Sequence, residues 1–466
     1  NQARLDVTGE VGNHSTYGNE AVVSGIYDQF SLSAGQLHYS TDGFRRNADI
    51  THNIYNVFAQ AALSPEINVQ GEYRRRSTRE GNLRITYDPE VYFADDNRDL
   101  REEMGRVGMR VSPTASTDII ASLITDEQRE NVLGARVDGQ IWQGESALLT
   151  RGEAWNVIAG AGGYHLDQKV EFDFFPDKFD LDADQASVFA YGNVELPTDF
   201  VWTVGLAYDD FEQANLHHQK VSPKLGLQVG LNDWLDLRLA VFHTLKPALL
   251  ADRTIQPTQV AGFNQFYDDT EGTTAWVYGI GLDARVASAL HVGFEYTHRS
   301  IDEQIYDLTT ERLNGDSREE DTGRVYAYWT PHRFWALSAE VVYDVYDAGQ
   351  GANSIVLNQV DTLSAPVSVR FFHPSGFFST LTTTPVYQDS NGNFDDEEGS
   401  DTFVLVDAAI GYRFPKRRGQ VSFEVTNLFN SGIKYQDDTY RTFGNESTVS
   451  PYSPERAFIG RLTLNF

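Results

Sequence analysis

Cysteine is absent from this chain of 466 residues. That excludes a disulfide framework and any thiolate metal site. Long hydrophobic runs are missing too, so no transmembrane helix is expected. Basic residues are scarce, 37 against 67 acidic ones, and the net charge of −30 argues against nucleic acid as a partner. Solvated loop charge accounts for that excess; a cation-friendly lumen or a divalent-cation site is the sharper alternative. No Pro- or Ser-rich linker and no break in composition divides the chain, so residues 1–466 are read as one domain. No export signal precedes Asn1-Gln2-Ala3-Arg4-Leu5, which is already strand-like. The expectation is a mature form or, preferably, the C-terminal domain of a longer chain. H-E-x-x-H, G-x-S-x-G, Walker and Rossmann fingerprints are missing as well. His217, His218, His165, His243, His291 and His298 lack metal-ligand spacing. Neither an enzyme nor a cofactor is expected.

Alternation is what the chain has in quantity. Trp234 to His243 sets Leu235, Leu237, Leu239 and Val241 against Asp236 and Arg238. Trp276 to Val286 sets Trp276, Tyr278, Ile280 and Leu282 against Gly279, Gly281, Asp283 and Arg285. Thr402 to Arg413 and Arg456 to Phe466 repeat the pattern. A period of two, with β-branched and aromatic residues, reads as strand and not helix. Aromatic residues stand near strand ends: Tyr73, Tyr208, Trp234, Trp276, Tyr296, Trp329, Trp335 and Tyr412. Such rings belong at a membrane–water boundary.

Short connections, such as Ser64-Pro65-Glu66 and His373-Pro374-Ser375-Gly376, alternate with long ones over 78–103, 167–185, 246–272, 302–322, 347–359, 388–401 and 429–455. Tight periplasmic turns and long extracellular loops mark a bacterial outer-membrane barrel. Counting back from Phe466 gives about 22 antiparallel strands, with 131–150 read as one long strand. The fold expected is all-β: one transmembrane barrel in the outer membrane of a Gram-negative bacterium. Its lumen is too wide to stand open, so an upstream domain, folded-in loops or a partner chain must fill it.

Val425-Thr426-Asn427-Leu428-Phe429-Asn430, then Tyr435, Pro454-Glu455-Arg456-Ala457-Phe458 and the closing strand to Phe466 resemble the end of TonB-dependent receptor barrels. Thr41-Asp42-Gly43-Phe44-Arg45-Arg46-Asn47 is similar to an early loop entry in those receptors. They carry an N-terminal plug domain and a partner-binding box, which this chain lacks. Leu245–Leu250, Gln256–Asp269 and Leu405–Arg413 resemble a plug-less group in which a similar barrel follows tetratricopeptide repeats. The resemblance implies location and architecture, not a substrate. Two roles follow as expectations: a passage, anchor or assembly platform for surface export, its lumen filled by another domain or chain, or an importer barrel separated from its plug.

Asp389, Asn391, Asn393, Asp395 and Glu398 form the candidate calcium loop, with Gly392 supplying the turn. Phe394 stands where the calcium pattern has Gly, and an acidic hairpin tip without an ion is the alternative. Arg75, beside Tyr73, is the candidate contact to lipopolysaccharide phosphate, or a plain rim cation. Asp268-Asp269-Thr270-Glu271 and Glu319-Glu320-Asp321 read as solvated loop charge. Asp236, Arg238, Asp283, Arg285, Glu295, Arg299, Asp407, Arg413, Glu424 and Arg461 are the candidate lumen-lining residues. They either brace the wall in cross-strand pairs or line a path.

Overall fold

The computed structural model describes residues 2–92, 94–132, 134–172, 178–197, 199–213, 216–250, 253–307, 312–348, 357–392, 398–438 and 450–466. Twenty-four hydrogen-bonded segments join into one antiparallel sheet that closes on itself with 22 staves. The first are β1 (Gln2–Gly12), β2 (Tyr17–Tyr27), β3 (Phe30–Thr41), β4 (Ile50–Ala62), β5 (Ile67–Glu80) and β6 (Arg98–Thr114). Next come β7 (Thr117–Val132), β8 (Ala135–Arg151), β9 (Trp155–Phe172), β10 (Lys178–Asp180 continued by Ala183–Glu195), β11 (Phe200–Gln213) and β12 (Leu216–Asn232). Then follow β13 (Leu235–Leu245), β14 (Thr274–Ala287), β15 (Leu290–Asp307), β16 (Arg312–His332) and β17 (Trp335–Asp347). The last are β18 (Gln359–Ser364 and Val367–Phe372, parted at Ala365-Pro366), β19 (Phe377–Asn391), β20 (Gly399–Arg413), β21 (Gly419–Thr426) and β22 (Ala457–Asn465).

Closure is made by β22 against β1, in a register running from Asp6 opposite Asn465 to Gly12 opposite Ile459. Phe466 completes the seam, donating its N–H to the Leu5 carbonyl at 2.9 Å and accepting from Leu5 at 3.1 Å. Among the described residues the wall is left without a free edge, as hydrocarbon requires.

The turns at one rim are short, among them 28–29, 233–234 and 288–289. At the other rim the chain differs from the expected plan in two ways. Connections are not uniformly long there, since only residues 13–16 join β1 to β2. Several stretches read as loops are strand instead: β6 takes 98–103, β9 takes 167–172, and β16 takes 312–322. At 21 residues, β16 is about twice the length needed to cross the membrane, so the wall itself projects outward. Pairing across the projecting wall satisfies backbone groups as a loop would not. The stretch 131–150 falls almost wholly in the single strand Ala135–Arg151.

The outer face follows the alternation. Leu237, Leu239 and Val241 share register rows with Leu282, Ile280 and Tyr278. Across β6–β15 the inner face departs from a wet lumen. Met104, Ile124, Ile141, Tyr164, Leu166 and Phe211 point inward and are buried with Leu245, Ala248 and Leu250. Phe242, Val277 and Ile301 are buried with Val260 and Phe263. A second apolar core thus lies inside the barrel, made with residues 246–273.

Leu239→Arg on the outer face is expected to destabilise the barrel by about 2–4 kcal/mol, the cost of arginine near the bilayer midplane. Equilibrium unfolding from lipid vesicles measures it. A loss below about 0.5 kcal/mol, as for an ordinary surface change, would contradict a lipid-facing position.

Candidate functional site

In the connection from β13 to β14, residues 246–250 and 253–273 fold into the barrel. At the base Lys246 and Thr273 prolong the ladder, with Lys246 N–H donating to the Thr273 carbonyl at 2.7 Å. Beyond it, inward side chains of distant strands catch the loop backbone. Gln185 accepts from Ala248 N–H at 2.9 Å and Gln143 from Leu250 N–H at 2.7 Å. The Gln143 amide donates to the Arg253 carbonyl at 2.6 Å. Glu145 accepts from the Thr254 hydroxyl at 2.5 Å and from Ile255 N–H at 3.0 Å. The Arg253 guanidinium reaches Glu72 on β5 at 3.0 Å. The attachments therefore run over the wall from β5 to β15.

The loop tip is a short hairpin, Gln259–Val260 against Phe263–Asn264, turning at Ala261 and Gly262 with positive φ. It lies in a trough cut by small residues. Gly226, Ala240 and Gly279 occupy one register row on β12, β13 and β14. A Cβ on Gly279 would sit 2.5 Å from the Phe263 ring, and one on Gly226 would sit 2.8 Å from the Ala261 Cβ. The missing side chains make room for the hairpin. Val260 and Phe263 are 0% and 2% exposed, whereas Gln259, Gly262 and Asn264 face the open lumen. Tyr191 on β10 fastens the tip, accepting from the Gln256 amide at 3.0 Å and donating to Gln265 Oε1 at 3.1 Å.

Two ion clusters bracket the loop. Arg238 carries the Phe263 ring 5.1 Å from its guanidinium and donates to Asp283 at 2.7 Å and Glu295 at 2.9 Å. Higher up, Arg299 binds Glu320 at 2.6 Å and Asp269, and Arg318 binds Glu303 at 2.6 Å. The Tyr267 ring lies 3.8 Å from the Arg299 guanidinium. Burial pushes the Tyr267 phenol up, against the pull of Arg299, so it stays a neutral ring at physiological pH. Asp269 and Glu320 are thus buried partners of arginine, not the solvated loop charges expected.

A second cover crosses the outer mouth. Arg45 donates to the Asn82 side chain at 2.7 Å and the Arg84 carbonyl at 2.5 Å, holding the start of the connection after β5. Ile85 N–H donates to the Asp437 carboxylate at 2.7 Å, and Asp437 N–H to the Ile85 carbonyl at 3.0 Å. Gln388 and Gln436 exchange two bonds of the same kind, at 2.7 and 3.0 Å. Buried Asn427, at positive φ, donates to Ser431 and Ser453 carbonyls and ties the loop ends together.

Of the sequence-derived lumen residues, Arg238, Asp283 and Glu295 come together. Arg461 joins Glu424 at 3.3 Å and Glu10 at 3.0 Å across the closing seam. Asp407 accepts from Asn427 N–H at 2.8 Å, and Arg413 lies against the Phe372 and Phe378 rings. Asp236 and Arg285 are exposed near the short-turn rim. Arg299 is 3% exposed and lies behind Tyr267, away from open lumen. Tyr208 and Trp276 are outward on the loop-ward parts of their strands, Tyr73 and Tyr296 are outward near mid-strand, and Trp234, Trp329, Trp335 and Tyr412 are outward at the turn rim, all 38–51% exposed. Asp389 and Asn391 end β19 on the outer face and Glu398 is exposed in the following connection, while Asn393 and Asp395 lie outside the described residues. Among the described residues no three acidic or histidine side chains converge on a metal position.

A closed barrel of 22 staves with tight turns at one rim is the architecture of a Gram-negative outer-membrane receptor or transporter, and the chain is an outer-membrane barrel of that kind. Its sequence matches the family described as TonB dependent receptor-like, beta-barrel, over residues 2–428, and the chain belongs to that family. Among solved structures it is similar to the siderophore receptor PirA from Pseudomonas aeruginosa, at 14% identity and a TM-score of 0.68, covering 100% of this chain and 80% of that one. The FrpB iron transporter from Neisseria meningitidis is similar at 12% identity and 0.76, covering 100% and 82%. The copper transporter OprC is similar at 11% and 0.77, covering 100% and 80%. Likeness at such identities speaks for the fold alone. No curated protein sequence matches the chain.

Hydrogen exchange tests the loop attachment. In Gln143→Ala/Glu145→Ala the Ile255 amide is expected to exchange about 10–100 times faster, as befits loss of a bond to a charged acceptor worth about 1.5–3 kcal/mol, and the Leu250 amide, which loses a neutral acceptor, about 2–10 times faster. Unchanged protection would show that the loop is held by something else.

Proposed function

We propose that this barrel is a passage across the outer membrane, narrowed at rest by its own loop 246–273, and that full conduction requires the loop to leave its trough. The observation that carries this reading is the seating of the hairpin on Gly226 and Gly279 with its polar edge toward the lumen. Half of the wall is thereby filled from within the chain. The other half is lined by hydroxyl side chains, such as the Thr8–Thr463 and Ser368–Thr382 pairs, which suit a hydrated solute. Surface export or assembly, with an upstream repeat domain or partner chain entering the remaining space, fits this arrangement. Transport, and not catalysis, is the role proposed. Import is the second reading, favoured because the similar solved structures are named as a siderophore receptor and as iron and copper transporters. It calls for a plug supplied by another segment or chain.

Single-channel recording in planar bilayers tests the reading. The intact chain is expected to conduct well below an unobstructed barrel of this strand number, and replacing residues 253–265 by a short Gly-Ser linker is expected to raise conductance several-fold. An intact chain that conducts like an open pore, or a shortened chain that conducts no more, would overturn it. Uptake of a metal chelate that depends on an inner-membrane energy transducer would support the import reading, and energy-independent uptake would remove it.

A further inference from the structure

The short-turn rim divides by charge. The turns from β2–β3 round to β14–β15 carry Asp28, Glu66, Glu153, Asp199 and Asp233 and, among the described residues, no arginine or lysine. The three turns from β16–β17 to β20–β21 carry Arg333, Lys416, Arg417 and Arg418 and no acid. The difference extends into the wall. Residues 327–339, 366–384 and 408–423 make these turns and the adjoining parts of β16–β21, and they hold no Asp or Glu. Arg370 and Arg413 stand among them. All six cations are exposed, and among the described residues none meets a carboxylate. The acids that border these stretches are engaged: Glu340 by Arg324 at 3.0 Å, Glu424 by Arg461 at 3.3 Å, and Asp407 by the Asn427 N–H at 2.8 Å. In a chain of net charge −30 this sector is net positive.

Two of the cations sit where the backbone does not favour them. Lys416 and Arg417 have φ of 60° and 59°, at the centre of a turn closed by the Arg418 N–H on the Pro415 carbonyl at 3.4 Å. Asn and Gly adopt that conformation most readily. The turn thus keeps charge at its tip at the expense of local fit.

The patch continues from the rim into the lumen. Arg370 shares an inward row with Thr380 and Ala409. Arg413 shares one with Gln420, Thr463 and Thr8, in the half of the lumen that loop 246–273 leaves. The Phe372 and Phe378 rings lie 5.1 and 5.3 Å from the Arg413 guanidinium. Phe378 lies flat across Gly411, where a Cβ would sit 2.3 Å from the ring. The rings steady Arg413 at the mouth and leave its N–H donors free.

We propose that the β16–β21 side of the short-turn rim binds an acidic polypeptide segment as it enters the lumen. Its carboxylates meet Arg370 and Arg413 inside the mouth and Arg333, Lys416, Arg417 and Arg418 on the rim. Geometry selects the occupant. From Arg333 to Arg417 the cations span four strand spacings, about 2 nm, more than one small solute covers. Lipid headgroups reach the rim from outside but not the inner face. A chain with repeated carboxylates reaches both, and it offers each guanidinium a bidentate partner. The acidic turns around the rest of the rim repel it and fix the side of entry. The proposal rests on the reading of the barrel as a passage that a chain enters, but not on movement of loop 246–273.

Fluorescence anisotropy with the purified full chain in neutral detergent micelles tests it. The probes are labelled Glu-Gly and Lys-Gly repeat peptides of about 20 residues, long enough to span the patch, with phosphatidylglycerol as competitor. The wild type is expected to bind the acidic peptide about tenfold more tightly than the basic one, against its own net charge, and to keep it when phosphatidylglycerol is added. Arg370→Gln/Arg413→Gln/Arg417→Gln is expected to weaken that binding about tenfold. Glu66→Gln/Glu153→Gln/Asp233→Asn is expected not to weaken it. Equal or tighter binding of the basic peptide by the wild type overturns the proposal and needs no variant to fold. Full affinity in the arginine variant, with the heat-dependent gel shift of a folded barrel, overturns it as well. Complete displacement by phosphatidylglycerol would make the patch a lipid contact and overturn it too. Anisotropy needs no current through the barrel, so a failure here and a failure of the conductance test are separate results.

Discussion

Hydrocarbon offers no hydrogen-bond partner to a peptide group, and the rest of this structure depends on that constraint. A chain without an apolar helix can cross a bilayer only as a sheet with no edge. The seam at Leu5 and Phe466 removes the last edge. Closure at 22 staves has a price: it encloses a space that side chains of the wall cannot fill alone. The inner face is therefore as much a packing problem as the outer one.

The chain solves it asymmetrically. Over β6–β15 inward apolar and small residues stand among polar ones, and the described parts of the 246–273 connection pack on the apolar ones. Elsewhere the inward residues are hydroxyl and charged side chains that leave space for water. Gln143, Glu145, Gln185 and Tyr191 join the two regimes, since each offers a polar group in an apolar setting and spends it on the loop. Bonds from side chain to loop backbone can be broken and remade without disturbing the ladder. The ladder of the wall is thus independent of the bonds that seat the loop.

Alternation over Trp276 to Val286 was enough to read the outer face, because lipid leaves one chemistry for it. Phe466 and the Asn427 motif placed the closing strand for a similar reason, since both belong to local pairing. The loop seat was not legible. Gly279 and Gly281 were visible as inward glycines, and an inward glycine signals close approach of another backbone. The alignment of Gly279 with Gly226 depends on register between strands joined by a 28-residue connection, which no local pattern encodes. Asp269 looked like one more acid in an acidic run, and only the fold brings Arg299 and Arg318 to it. Arg75 follows the same rule: it was readable beside Tyr73, whereas its ion pair with Glu103 depends on pairing of β5 and β6.

Cross-linking measures the seat most directly, because the chain has no cysteine of its own. The position of a Cβ on Gly226 lies 2.8 Å from the Ala261 Cβ, close enough for a disulfide after a small shift. Gly226→Cys/Ala261→Cys in intact outer membranes should form that bond nearly completely under mild oxidation, giving a gel-resolved internal cross-link after denaturation. Two free thiols, both labelled by a hydrophilic maleimide added from outside, would show that the loop does not rest on the inner wall.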